Sequence, residues 1–166
     1  MKIGLISDTH SYLDPSVFEY FNECDEIWHA GDFGHVGIYD QLNAFKPTVG
    51  VYGNIDGQDV RIVLKENLII QREGLTIFMT HIGGSPGKYI ARVKEQLLLH
   101  KPDIFVCGHS HILRVVSDTV YNNMLHLNPG AAGKEGFHKM RTLLRFEINE
   151  KKISNMQVIE LGLRGK

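Results

Sequence analysis

Seven side chains able to bind a metal ion follow the ends of five apolar runs. Lys2–Ile6 leads into Asp8-Thr9-His10, and Glu26–His29 into Gly31-Asp32. Residues 48–52 lead into Gly53-Asn54-Ile55-Asp56, residues 76–79 into His81 and then Gly83-Gly84, and residues 103–107 into Gly108-His109-Ser110-His111. Asp8, His10, Asp32, Asn54, His81, His109 and His111 together offer oxygen and imidazole nitrogen but no thiolate. That mixture suits Mn2+, Fe, Zn2+, Ni2+ or Co2+, and the absence of cysteine argues against a structural zinc site. Seven ligands are too many for one tetrahedral ion and enough for two ions sharing one carboxylate. Two such ions, roughly 3.5–4 Å apart, form a clamp for in-line attack on phosphorus. Their charge outweighs that of Asp8 and Asp32, so the surplus would attract a phosphate ester and acidify a bound water. Each piece has a plainer reading alone: Asp8 as a capping turn residue, Asp32 and Asn54 as turn residues beside glycine, His109 and His111 as an exposed loop. Their joint occurrence selects metal binding.

These ligands need strands that end together. Lys2–Ile6, Glu26–His29 and residues 48–52 read as buried strands, with helices at 15–24 and Val36–Phe45 between them. Asp14 is the expected N-cap of the first helix, with Pro15 at its first position. Strand–helix–strand units of this length imply right-handed crossovers and a parallel sheet, and such sheets bind ligands outside their carboxyl ends. Residues 61–64, 68–71 and 76–79 read as strands, the last two joined at Arg72-Glu73-Gly74. An amphipathic helix is expected over 88–100, stopped by Pro102, and a buried strand over 103–107. From 112 onward the pattern is mostly β, at 112–117, 124–127, 142–148 and 153–159, with hairpin turns near Asn122-Asn123 and Glu150-Lys151. An α/β half followed by a β-rich half predicts two sheets packed face to face, with helices outside.

The chain of 166 residues is expected to form one domain over 1–166, with core enough to fold without disulfide or metal. Eighteen basic residues against 19 acidic ones, a net charge of −1, argue against a nucleic-acid partner. The apolar content of 43% excludes a wholly disordered chain. No apolar run reaches the ~18 residues of a membrane span, and the apolar N-terminal stretch is too short for a secretory signal. Cys24 and Cys107 lie far apart, which fits a reducing cytoplasm.

In this order Asp8-x-His10, Gly31-Asp32, Gly53-Asn54-x-Asp56, His81 and Gly108-His109-x-His111 resemble the signature of calcineurin-like metallophosphoesterases, and Asn128-Pro129-Gly130 also matches. The short length resembles the YfcE-like prokaryotic phosphodiesterases. The resemblance implies an α/β (α+β) fold, a four-layer α-β-β-α sandwich of two mixed sheets. It implies two divalent ions, Mn2+ foremost: one held by Asp8, His10 and His111, the other by Asn54, His81 and His109, with Asp32 between them. It implies hydrolysis of a small phosphate ester, a diester before a monoester, by a metal-bridging hydroxide, with Asp32, Asn54 and His109 in the catalytic set. The rival reading is a non-catalytic interaction scaffold like the retromer subunit that shares the fold; a complete ligand set speaks for the enzyme. A homo-oligomer is left open.

One position departs from the pattern. Many members carry histidine after the asparagine; here it is Ile55, which can neither donate a proton nor stabilise charge. His35, just after Gly31-Asp32, is the candidate substitute. Asp56 either orients a ligand or serves the Asp-Gly turn. His29 reads as core or as a support behind the ligands, His100 as a helix-end residue, and His126 as structural. His138, on a glycine-rich loop, is structural or part of the pocket wall. Cys107 reads as a small buried hydrophobe, and Asn128-Pro129-Gly130 as a turn supporting the site.

Overall fold

The computed structural model describes residues 1–166. Its elements run β1 (Lys2–Ile6), α1 (Ser16–Tyr20), β2 (Glu26–His29), α2 (Val36–Phe45), β3 (Thr48–Gly50), α3 (Gln58–Val63), β4 (Asn67–Arg72), β5 (Leu75–Thr80), α4 (Ala91–His100), β6 (Ile104–Val106), β7 (Arg114–Asp118), β8 (Met124–Asn128), β9 (Met140–Asn149) and β10 (Lys152–Leu163). They build two five-stranded mixed sheets, in the orders β10-β9-β1-β2-β3 and β4-β5-β6-β8-β7. In the first, β1, β2 and β3 are parallel and β9 runs against β1. In the second, β5, β6 and β8 are parallel, flanked by antiparallel β4 and β7.

Side-chain alternation explains the four layers. Ile3 and Leu5 of β1, Trp28 of β2, Ile77 and Met79 of β5, Ile104 and Val106 of β6, and Leu144 and Phe146 of β9 meet in a 14-residue core between the sheets. The intervening residues face outward. Ile6, Ile27 and Leu143 pack with Val17, Phe21, Ile38, Leu42 and Val60, contributed by the α1, α2 and α3 segments. Phe78 and Phe105 pack with Val93 and Leu97 of α4 on the opposite outer face. At Gly4 a Cβ would sit 2.7 Å from the Phe21 ring, so its absence lets that ring lie against β1. Helix–sheet–sheet–helix is thus the sandwich expected above. No helix is long and apolar enough to cross a membrane.

Several expected elements change. Residues 61–64 are not a strand: they belong to α3 and its C-cap. Only Val60 of that helix is buried, while Ile62 is 75% and Val63 49% exposed, so the short apolar run signals no buried strand. Four apolar residues cannot separate strand from helix by period. The 15–24 helix shrinks to Ser16–Tyr20 followed by turns. The N-cap falls on Pro15 (φ −57°, ψ −27°), one residue after the expected Asp14, whose Oδ1 still accepts the Ser16 N–H at 3.0 Å. The 88–100 helix begins at Ala91, after Lys88 N–H closes a turn on Ser85 O. The ladder of 48–52 ends at Gly50, with Val51 forming only a bridge to Lys65.

His126 shows how a buried imidazole couples this fold to pH. It lies on β8 facing α4, 3.1 Å from the Tyr89 hydroxyl, which in turn donates to Asp118 Oδ2 at 3.0 Å. Burial pushes its pKa down to about 4. The folded protein therefore holds it neutral where the unfolded chain, near 6.5, would take a proton. This contribution is fully present above pH ~6.5 and is lost as pH falls toward 4, at up to ~1.4 kcal/mol per pH unit. In denaturant unfolding, His126→Gln is expected to flatten the decline of stability between pH 6.5 and 4.5 relative to the parent. Parallel declines in both proteins would contradict the assignment.

Candidate metal centre

The ligand-bearing loops are laced together by their backbones. Asp8 N–H donates to Gly31 O and His10 N–H to Asp32 O, both at 3.0 Å, which ties the loop after β1 to that after β2. Gly108 N–H donates to His81 O at 3.0 Å, tying the loop after β6 to that after β5. His109 N–H reaches Asp8 Oδ2 at 3.2 Å and joins the two sheets. The lacing holds unusual backbone: Asp8 (φ 53°), His10 (45°), Asp32 (58°), His109 (65°) and His111 (57°) are all left-handed. Each non-glycine residue there carries a steric cost of roughly 1–2 kcal/mol, and such outliers gather at functional sites.

Asp8, His10 and His111 form one cluster and Asp32, His81 and His109 a second, the ligand atoms of each lying within 4.8 Å of one another. The carboxylates link the clusters. Asp8 Oδ1 stands 3.2 Å from His111 Nε2, 3.9 Å from His10 Nε2 and 3.9 Å from His81 Nε2. Asp32 Oδ2 stands 3.1 Å from His81 Nε2 and 3.6 Å from His10 Nε2. The outer carboxylate oxygens are already committed: Asp8 Oδ2 accepts Ser7 Oγ–H at 2.6 Å, and Asp32 Oδ1 accepts Ile55 N–H at 3.1 Å. At Gly53 a Cβ would collide with the Asp32 carboxylate, so only glycine lets the third loop pass there.

Asp8 Oδ1, His10 Nε2 and His81 Nε2 are buried and have no hydrogen-bond partner. Buried polar atoms are rarely left so, and three converging on one spot fit a cation. The tautomers agree. His81 Nδ1 lies 2.8 Å from Ala30 O, which can only accept, so Nδ1 carries the proton and Nε2 turns a lone pair inward. The same logic runs through a relay at His111. Gly133 O accepts from His138 Nε2 at 3.0 Å; His138 Nδ1 then accepts from His111 Nδ1 at 3.1 Å, leaving His111 Nε2 bare toward Asp8. Burial holds His138 below the ordinary imidazole value, which favours this neutral relay.

Charges follow the same layout. Burial would raise Asp8, but the imidazoles of His10, His111 and His81 that face it outweigh burial and hold the carboxyl well below its usual range. Asp32 is lowered too, burial again being outweighed, here by His81. The Asp8 carboxylate raises His10; at His81 burial opposes the charge, and Asp32 and Asp8 overcome it. Both carboxylates are therefore ionised and surrounded by nitrogens that want a positive charge, which a proton or a metal ion can supply.

The other expected residues separate. Asn54 is exposed on the loop after β3 and opens into a recess that it shares with His81. Asp56 is no mere turn residue: buried, it accepts Gly34 N–H and Gly53 N–H, each at 2.8 Å, and braces the second and third loops. Asn128 donates from Nδ2 to Gly108 O at 3.0 Å and so supports the histidine loop. His29 is buried, accepts Gly31 N–H on Nδ1 and contacts Thr9 Oγ1. His35 is exposed at the start of α2, and no hydrogen bond joins its side chain to any ligand. Sequence reading missed Ser7, whose adjacency to Asp8 was the available signal, and Arg61 and Arg92, for which there was none.

The family model of the calcineurin-like phosphoesterase superfamily domain matches residues 1–151. A phosphodiesterase of Methanocaldococcus jannaschii is 30% identical over 149 residues, taking in 78% of this chain and 83% of that protein. A probable metallophosphoesterase of Methanothermobacter thermautotrophicus is 29% identical over 138 residues, with 79% and 77% covered. Among solved structures, Vps29 of Chaetomium thermophilum superposes with a TM-score of 0.76 at 15% identity over 97% of each chain, a likeness of fold.

Proposed function

The chain belongs to the calcineurin-like phosphoesterase superfamily and is a phosphoric ester hydrolase, and from that premise we propose a binuclear phosphodiesterase of small phosphate esters. Residues 1–166 act as one catalytic unit, Mn2+ is the expected metal and the cytoplasm the expected location. Asp8, His10 and His111 would hold one ion, and Asn54, His81 and His109 the other. Asp32, whose Oδ2 faces an imidazole of each cluster, would touch both. The carrying observation is the convergence of three unpartnered buried atoms, Asp8 Oδ1, His10 Nε2 and His81 Nε2, between the two clusters.

Bound ions would supply an activated water and the positive charge that draws the phosphate ester in. The chain's own residues do the positioning. Ile55 N–H and the second- and third-loop brace at Asp56 hold Asp32 in place. Ser7 and His109 N–H fix Asp8. Ala30 O and the His138 relay turn His81 and His111 so that lone pairs face the carboxylates. The scaffold reading has only the Vps29 likeness of fold in its favour, and the filled ligand set stands against it.

Metal-free protein reloaded with Mn2+ is expected to approach two ions per chain by elemental analysis and to hydrolyse bis(p-nitrophenyl) phosphate. Saturation at one ion overturns the binuclear centre. A loaded protein inert toward a panel of mono- and diesters overturns the enzyme.

A further inference from the structure

Two recesses flank the second cluster and share only Ile82 in their linings. The first, about 230 Å³, contains His81 and Asn54 and carries Arg61, Arg92 and Glu66. Arg61 is held wholly by neutral acceptors. Its Nε donates to Asp56 O at 2.6 Å, its Nη2 reaches Gly53 O and Asn54 O at 3.4 and 3.5 Å, and its guanidinium lies 4.5 Å over the Tyr52 ring. Its charge has no carboxylate partner. Arg92 is anchored by Ile82 O at 3.1 Å and meets Glu66 loosely at 3.4 Å, both side chains being substantially exposed. Such a surface pair neutralises little. Two fixed guanidinium groups against one carboxylate leave the recess positive.

The second recess, about 250 Å³, contains His109 and differs in kind. Ile82, Ile90 and Ile112 line it with several glycines, and Arg114 is its one formally charged residue. A monoester has one organic arm and would leave a recess unfilled; a diester has two. Both volumes lie below the ~300 Å³ at which ordinary ligand pockets begin, so the arms must be compact.

Building on the phosphodiesterase reading, we propose that the site selects unsymmetrical phosphodiesters. One arm ends in a compact anion, carboxylate or phosphate, seated at Arg61 and Arg92. The other is a small apolar or aromatic group seated against Ile90 and Ile112. Arginine suits the first role because its planar fork receives either anion by paired, charge-assisted hydrogen bonds.

The test uses Mn2+-loaded protein and p-nitrophenyl diesters of constant leaving group. The retained arm is ethyl, 2-(trimethylammonio)ethyl, 2-carboxyethyl or 2-phosphonoethyl. Anionic arms are expected to raise kcat/KM roughly tenfold over ethyl, chiefly through KM, as one charge-assisted hydrogen bond would; the cationic arm falls below ethyl. The carboxylate and phosphonate arms separate the two anion chemistries. Arg61→Gln and Arg92→Gln should each bring the anionic-to-neutral ratio toward one. Metal-free protein is expected to show amide shifts at Gly53, Asn54 and Thr80 on titration with 3-phosphonopropionate, abolished in Arg92→Gln. No arm preference in the parent, equal losses for all arms in both variants, or no amide shifts would each overturn the inference. Failure to hydrolyse even the ethyl ester would instead strike the phosphodiesterase reading.

Discussion

Asp32→Asn should lower kcat/KM by about 10³-fold or more, beyond the loss from replacing any single terminal ligand. The scale is that of removing one fixed electrostatic contact to the reacting centre, and Asp32 offers more than one. Its Oδ2 faces His81 at 3.1 Å and His10 at 3.6 Å, one imidazole from each cluster, while Oδ1 is committed to Ile55 N–H. Asparagine preserves the shape and removes the charge both clusters share, so bound Mn2+ should also fall below two per chain. His100 is exposed at the end of α4, away from every ligand loop, and His100→Ala should leave the chemistry intact. A folded His100→Ala protein without activity, beside an active Asp32→Asn protein, would show the site to be misplaced.

The second large effect concerns proton delivery. General acid catalysis is typically worth about 10²–10⁴ in rate, and the position where related enzymes often carry a histidine is Ile55, 45% exposed and apolar. Without an acid, poor leaving groups suffer most, because an alkoxide departs badly unprotonated while a nitrophenolate does not need the proton. Activated aryl diesters should therefore be hydrolysed more readily than alkyl diesters. Ile55→His should help the alkyl esters more than the aryl ones. The measurement is kcat/KM against leaving-group pKa for the parent, Ile55→His and His35→Ala. A parent dependence that is flat and steepens only in His35→Ala would assign the proton to His35, despite its exposed place at the start of α2. Flat dependences in all three would refute this account of Ile55.

The loops that carry the seven candidate ligands were readable because each lies within a few residues of an apolar strand, and a parallel sheet gathers its strand ends. The layers were readable for a related reason: an α/β half followed by a β-rich half in one chain needs two sheets face to face with helices outside. What escaped is non-local or too short. The 61–64 run is helical because Val60 alone finds a core, which no window of four residues reveals. The His138–His111 contact spans 27 residues, and Arg61 and Arg92 meet at one recess only because the segments after β3 and β5, on different sheets, line it together. Asp56 was ambiguous since its two backbone partners, Gly34 and Gly53, lie on different loops.

The left-handed backbone at Asp8, His10, Asp32, His109 and His111 bears on how such a chain would evolve. At each of these positions asparagine or glycine would sit more comfortably, glycine giving back part of the gain through a freer unfolded chain. Substitution by either of these two residues there thus favours a more stable protein that grips ions less well. Only selection for the chemistry opposes that drift, the familiar conflict between activity and stability. A lineage that ceased to need the reaction should lose its ligands first at these five turns, keep both sheets, and survive as a sturdier molecule free to be recruited for something else.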